Sequence, residues 1–213
     1  MANRLLDVFW HKTTKLKNRF LPSRPNPIFL EDLRQLGYQK IIGVDEVGRG
    51  ALAGPVVVAA IEITTFIPGV TDSKLLTAVE RQYLAGQIIQ SAKQVSIGQA
   101  TNQEIDQLGI IAALKKAYAI SMQNVHADLF LTDAWSLDRR PFLRAVKGDQ
   151  LFYQVAAASI VAKVYRDQLM RVYDRFFPEY LWRQNVGYGT PAHITAISEF
   201  GQTPLHRQTF RRK

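Results

Sequence analysis

The sequence has no cysteine, which excludes disulfides and thiolate chemistry and sets the expectation of a reducing, cytoplasmic location. No apolar run approaches the ~20 residues that a membrane-spanning helix needs. Nor is there an apolar stretch of ~7–15 residues behind a basic start, the mark of a secretory signal. The four histidines, His11, His126, His193 and His206, lack any H-x-x-x-H spacing, which disfavours a histidine-based zinc site. A Gly-x-Ser-x-Gly elbow is also missing, so Ser159, set among alanines, reads as a packing residue rather than a nucleophile.

What is present suits one folded domain with an appendage. The chain has 213 residues, 47% of them hydrophobic and 21% charged, as in ordinary globular proteins. The net charge of +9 is uneven. Residues 1–40 carry a net +5 and residues 201–213 a net +4 with no acid, so the span 41–200 is neutral overall. Cationic ends around a balanced body suit contact with a polyanion. Residues 1–27, basic and holding Pro22, Pro25 and Pro27, read as an extension. Residues 28–213 read as the folded domain together with its C-terminal helices and basic tail.

The segment Ile41-Ile42-Gly43-Val44-Asp45-Glu46-Val47-Gly48-Arg49-Gly50 concentrates the chemistry. Its apolar start reads as a buried strand. Two adjacent carboxylates then end the strand, although buried acids are costly unless paired or bound to a cation. The glycines allow the backbone to approach a ligand closely, and the Arg49 fork suits phosphate.

Downstream, residues 56–63 form a β-branched segment that can pair antiparallel with the first strand. Thr77-x-x-Glu80 and Thr101-x-x-Glu104 have capping-box spacing and predict helices to about Lys93 and Val125, with a strand over 94–100 between them. Residues 128–133 read as a buried strand ending in Asp133, and 146–149 as a short strand or turn. A long helix is expected over roughly 150–176, with Asp167 serving structure through Arg166 or Arg171. Thr190-Pro191 opens a last helix that Gly201 caps. Asp72 reads as a turn or helix-entry residue. The alternation predicts an α/β layer with a mixed sheet.

Asp45, Glu46, Asp133 and Asp149 all fall at or just beyond strand ends, where sites gather in open α/β sheets. Four such acids titrate as a coupled group or bind metal. Oxygen-only ligation points to Mg²⁺ or Mn²⁺, and two such ions ~4 Å apart can drive in-line phosphoryl displacement.

Eight segments in order resemble bacterial type 2 ribonuclease H (ribonuclease HII) over roughly residues 34–210. They are GVDEVGRG (43–50), LAGPVVVAA (52–60), DSKLL (72–76), LTD (131–133), VKGD (146–149), AAASIVAKVYRD (156–167), VGYGTPAH (186–193) and TPLHRQTF (203–210). The resemblance implies a ribonuclease H-like mixed sheet flanked by helices with a helical C-terminal part. It implies a monomer that hydrolyses RNA in RNA–DNA hybrids and incises 5′ to single ribonucleotides in duplex DNA, leaving 3′-hydroxyl and 5′-phosphate ends. By position, the metal-binding acids fall on Asp45, Glu46 and Asp133, and the fourth active-site acid on Asp149. The backbone sensor of the ribose 2′-hydroxyl falls on Gly48, Arg49 and Gly50, and the sugar-stacking tyrosine on Tyr188. Lys74, and with less support Lys163, are phosphate-binding candidates.

Departures from the family pattern are Ala51 in place of proline, which implies a looser loop, Ala134 followed by Trp135, and the bulky Gln150-Leu151-Phe152-Tyr153. A sliding-clamp-type partner is left open. Two other readings stay open at this stage: another two-metal nuclease of the same fold, such as a junction resolvase, and a non-catalytic nucleic-acid-binding protein.

The basic extension generates a first prediction. Deleting residues 1–27 should weaken duplex binding and flatten its salt dependence, since each phosphate contact contributes about 0.9 to the log–log slope. Measuring affinity across a salt series checks this, and an unchanged slope would make the segment a bystander.

Overall fold

A computed structural model of the chain describes residues 28–133, 140–145 and 147–210. The 1–27 extension, Ala134 and Trp135, Val146 and the 211–213 tail lie outside these residues.

A five-stranded mixed sheet carries the site. Its strands are β1 (Ile41–Val47), β2 (Val56–Glu62), β3 (Gln94–Ala100), β4 (Leu129–Asp133) and β5 (Phe142–Ala145), in the order β3-β2-β1-β4-β5. β1 pairs antiparallel with β2, and β2 with β3, whereas β1, β4 and β5 run parallel. β1 therefore sits at the centre, and its carboxyl end opens beside that of β4.

Helices cover both faces. In chain order they are α1 (Ile28–Gln35), α2 (Ala78–Ser91), α3 (Asn102–Leu108), α4 (Ile110–Gln123), α5 (Gly148–Leu151), α6 (Tyr153–Asp174), α7 (Trp182–Asn185) and α8 (Pro191–Phe200). Both capping boxes form as the spacing predicts, with Thr77 accepting from Glu80 N–H and Thr101 from Glu104 N–H. α6 lays Ala156, Ala157 and Ala158 against Val57, Ala59 and Ile61 of β2. On the other face, Ala113, Leu114 and Ala117 of α4 pack on Ile42, Val44, Val56 and Val58. α6 lies unusually close to β1 at Gly43, where a β-carbon would stand 2.1 Å from the Gln154 carbonyl carbon. The C-terminal part has its own cluster, in which Met170, Tyr180, Trp182 and Ile197 pack against Ala53.

Three expectations need correction. The helix predicted from Thr101 to about Val125 is broken into α3 and α4 at Gly109, whose φ of 77° ends the first helix and starts the second. The strand near residue 146 lies earlier, as β5. After it, Lys147 takes a left-handed conformation (φ 60°) and α5 begins. The long helix starts at Tyr153 rather than near 150, because Phe152 is extended and interrupts α5 from α6. Among the described residues no helix is long and apolar enough to cross a membrane.

The contact at Gly43 is testable by Gly43→Ala. The added methyl must displace α6 backbone from the central strand, at a cost of about 3 kcal/mol by the overpacking scale. Chemical denaturation should show that loss, and wild-type stability would contradict the close approach.

Candidate active site

Register and alternation together set the acidic cluster. Val44 lies opposite Thr132 across the parallel β1–β4 pair, so the next residues, Asp45 and Asp133, come side by side at the carboxyl edge. Successive side chains on a strand point to opposite faces. Asp45 accordingly faces α6, where the Ser159 hydroxyl hydrogen-bonds to it. Glu46 faces α4, where Tyr118 donates its phenolic hydrogen to Oε2 at 2.6 Å. The adjacent pair thus reaches the edge from both sides of the sheet. α5 brings the fourth acid: Gly148 N–H donates to Asp133 Oδ1 (3.0 Å), and Asp149 follows in the first turn.

No basic side chain forms an ion pair with these acids among the described residues. Burial, then the charges of Glu46 and Asp149, push the Asp45 carboxyl well above the usual carboxylate range, against the Ser159 bond. Burial also raises Glu46, aided by Asp133 and opposed by the Tyr118 bond and the charge of Arg49. Asp149 is raised by burial, then by Asp72 and Asp133, while Lys74 pulls it down. The four acids feel one another's charge across a shared rim. Among the described residues no three carboxylates or imidazoles form a finished cage around one point. The donor set is nevertheless all oxygen and rich in negative charge, which fits a hard divalent cation such as Mg²⁺ or Mn²⁺.

The Gly48–Gly50 loop leaves β1 directly beside this rim. Gly48 has φ 90°, and a β-carbon there would lie 2.2 Å from Arg166 Nε, so only glycine fits. Gly50 differs: nothing stands within 4 Å of a β-carbon built on it, and the fold itself does not require a glycine there. Ala51 N–H closes the turn onto Gly48 O at 3.3 Å, a bond that proline could not make, so the expected loosening is offset.

Tyr188 stands on a second loop that is tied to the first. Leu52 N–H and Ala53 N–H both donate to Gly187 O (2.7 and 3.2 Å). The Tyr188 ring lies 5.9 Å from Lys163 Nζ and 5.5 Å from Arg166 Cζ. Its carbonyl accepts from His193 Nδ1 (2.9 Å), which fixes that proton because a carbonyl can only accept. His193 Nε2 then accepts from Trp182 Nε1 (3.0 Å) and His206 Nε2 (3.1 Å). Burial lowers the His193 pKa, in keeping with its neutral form.

The structure thus brings Asp45, Glu46, Asp133, Asp149 and the Gly48–Gly50 loop to one edge, with Lys74 and Arg49 close enough to act on those charges. Lys163 pairs with Asp167 at 2.8 Å, which corrects the expectation that Arg166 or Arg171 would hold that acid. Asp72 caps the short turn Ser73–Leu75 as expected, accepting from Lys74 N–H. Tyr118 and the Ser73–Ser159 pair (2.9 Å) escaped the sequence reading. Ser159 does not merely pack, since its hydroxyl meets Asp45. Its position in the small-residue face of α6 was the available signal, whereas nothing in the sequence marks Tyr118 apart from any core tyrosine.

A raised carboxyl is favoured by folding in its neutral form. Its contribution is complete below the ordinary carboxylate range and is lost as pH rises through the elevated value. Asp45→Asn should therefore raise the melting temperature in EDTA at pH 7–8 by about 3–6 °C, and the gain should vanish near pH 4. A pH series of thermal melts checks this, and no gain at neutral pH would contradict the crowding.

Residues 42–213 match the family profile described as Ribonuclease HII. The chain is 46% identical over 184 residues to Ribonuclease HII of Limosilactobacillus fermentum, covering 84% of this chain and 72% of that one. Among solved structures, the RNase HII of the PCNA:RNase HII complex from Archaeoglobus fulgidus superposes with a TM-score of 0.72 at 22% identity, covering 82% of this chain and 96% of that one. Bst-RNase HIII, solved in complex with Mn²⁺, gives 0.62 at 20% identity over 84% and 69% of the two chains. The fold is that of the ribonucleases H, and with the sequence match it establishes that this chain belongs to the ribonuclease HII family and is a ribonuclease H endonuclease.

Proposed function

We propose that this ribonuclease HII incises duplex DNA on the 5′ side of a single embedded ribonucleotide and cuts the RNA strand of RNA–DNA hybrids, leaving 3′-hydroxyl and 5′-phosphate ends. Asp45, Glu46 and Asp133 hold divalent cations, and Asp149 completes the positioning of metal or water. The carrying observation is that four mutually repelling carboxylates without an ion-pair partner among the described residues meet directly beside a loop whose Gly50 has room that the fold leaves unused. The divalent ions, when bound, supply activation of the attacking water and stabilisation of the leaving 3′-oxygen.

The chain's own residues do the rest. Tyr118 and Ser159 orient Glu46 and Asp45 from opposite faces, so both carboxylates are preset before substrate arrives. The Gly48–Gly50 backbone meets the 2′-hydroxyl, the one group by which RNA differs from DNA at a single sugar. Tyr188 offers its ring to the neighbouring deoxyribose, and Arg49 and Lys74, both exposed, contact phosphate. A junction-resolvase-like enzyme has no need of the 2′-hydroxyl contact, so cleavage of an all-DNA junction would favour that reading.

Asp45→Asn should lower Mg²⁺-dependent incision of a duplex with one ribonucleotide by about 10²–10³-fold, the scale of losing one preorganised group that stabilises transition-state charge. Tyr188→Ala should cost less and act mainly on that substrate. Gel-resolved cleavage rates measure both, and full activity of Asp45→Asn would end the assignment.

A further inference from the structure

The mechanism above leaves two fully buried cations unused. Arg166 and Arg207 are both 0% exposed, and neither is ion-paired among the described residues. The hydrogen bonds of each guanidinium go to backbone carbonyls, with an aromatic ring against its face, Tyr188 for Arg166 and Phe210 for Arg207. Arg166 donates to Pro55 O (2.9 Å), Val186 O (2.7 Å) and Ala53 O (3.0 Å). Arg207 donates to Gly54 O (3.0 Å), Arg49 O (3.0 Å) and Gly48 O (2.7 Å). Burying a guanidinium without an acid is expensive, and only a charged fork held by several acceptors makes it tolerable. Burial and the neighbouring Arg166 charge push Arg207 down to about 9, so it stays cationic at neutral pH.

The carbonyls that Arg207 takes are those of the candidate 2′-hydroxyl sensor. A peptide unit is planar, and its N–H points opposite to its C=O. Drawing Gly48 O and Arg49 O inward therefore turns Arg49 N–H and Gly50 N–H outward. Among the described residues neither of these amides donates to any group, and both residues are exposed. Two backbone donors are thus aimed away from the protein, on a loop whose back is locked. The segment bearing Arg207 is itself fastened. Arg207 N–H donates to Leu52 O (2.8 Å), while Asp106 accepts from Gln208 N–H (2.9 Å), Thr209 N–H (3.0 Å) and the Thr209 hydroxyl (2.7 Å).

We propose that Arg207 is a positioning residue for sugar discrimination: by holding Gly48 O and Arg49 O, it presents the Arg49 and Gly50 amides to the ribose 2′-hydroxyl. This deepens the proposed function and depends on its 2′-hydroxyl reading. Lysine cannot replace it, because one ammonium does not span three carbonyls that the fork meets at once. Arg166 supports the same loop from beneath Gly48 and joins it to the Tyr188 loop through Val186 O.

The test compares binding of a duplex with one ribonucleotide and the matching all-DNA duplex, by fluorescence anisotropy of the full chain, with Ca²⁺ replacing Mg²⁺ so that binding is read without turnover. Wild type should prefer the ribonucleotide duplex. Arg207→Lys should lower that preference about tenfold, or to unity if it is smaller, as expected for misaligned hydrogen bonds to one hydroxyl, with all-DNA affinity changing less than about twofold. Asp106→Ala, which keeps Arg207 and removes only its exposed anchor, should lower the preference partway, and it carries the test if thermal melts show Arg207→Lys unfolded. An unchanged preference in the folded variants, or an equal loss on both duplexes, would overturn the inference while leaving the 2′-hydroxyl reading intact. A wild type without preference would overturn that reading itself, and the role of Arg207 with it.

Discussion

Burial of carboxylates crowded together at the carboxyl edge of β1 and β4 is the constraint on which the site depends. Parallel pairing sets Asp45 level with Asp133, and the pleat sends Glu46 to the opposite face. α5 then adds Asp149 through the Gly148–Asp133 bond. A protein selected for stability alone would place cations there or dispense with the acids. This one keeps Arg49 and Lys74 on the exposed rim and leaves Asp45 buried among like charges. A divalent cation bound at this rim, as proposed, would offset both the burial and the repulsion of these acids.

The opposite charge is buried one layer away. Arg166 and Arg207 are held by six carbonyls drawn from residues 48–55 and Val186, so they stitch the loop after β1 to the Tyr188 loop. His193, in neutral form, and His206 extend this polar network, ending on the Tyr188 carbonyl. Among the described residues the acids form no ion pair, while the two buried cations hold backbone carbonyls. This division explains how rigid loops can border a site whose own charges are unbalanced.

Much of this was legible in the sequence. The apolar run ending in Asp45-Glu46 marks a buried strand whose end is chemically costly, and both capping boxes announce their helices. The breaks were harder to read: Gly109 divides a helix because its positive φ depends on the turn the chain must make, and β5 is too short and charged for periodicity to show. Tyr118, Ser159 and Arg207 were missed for a shared reason. Each acts through a partner more than seventy residues away, and nothing local distinguishes a core tyrosine or a buried arginine from its ordinary counterparts. Ala51 shows the converse, since a residue that looks like a weakness gains a turn bond that proline could not make.

The most direct measurement is a carboxyl ¹³C NMR titration of the metal-free protein, followed by addition of Mg²⁺. The account predicts that Asp45 titrates well above the usual carboxylate range, and that Mg²⁺ moves its midpoint sharply downward as the repulsion is relieved. An Asp45 that titrates at the ordinary carboxylate value, with no response to Mg²⁺, would contradict it.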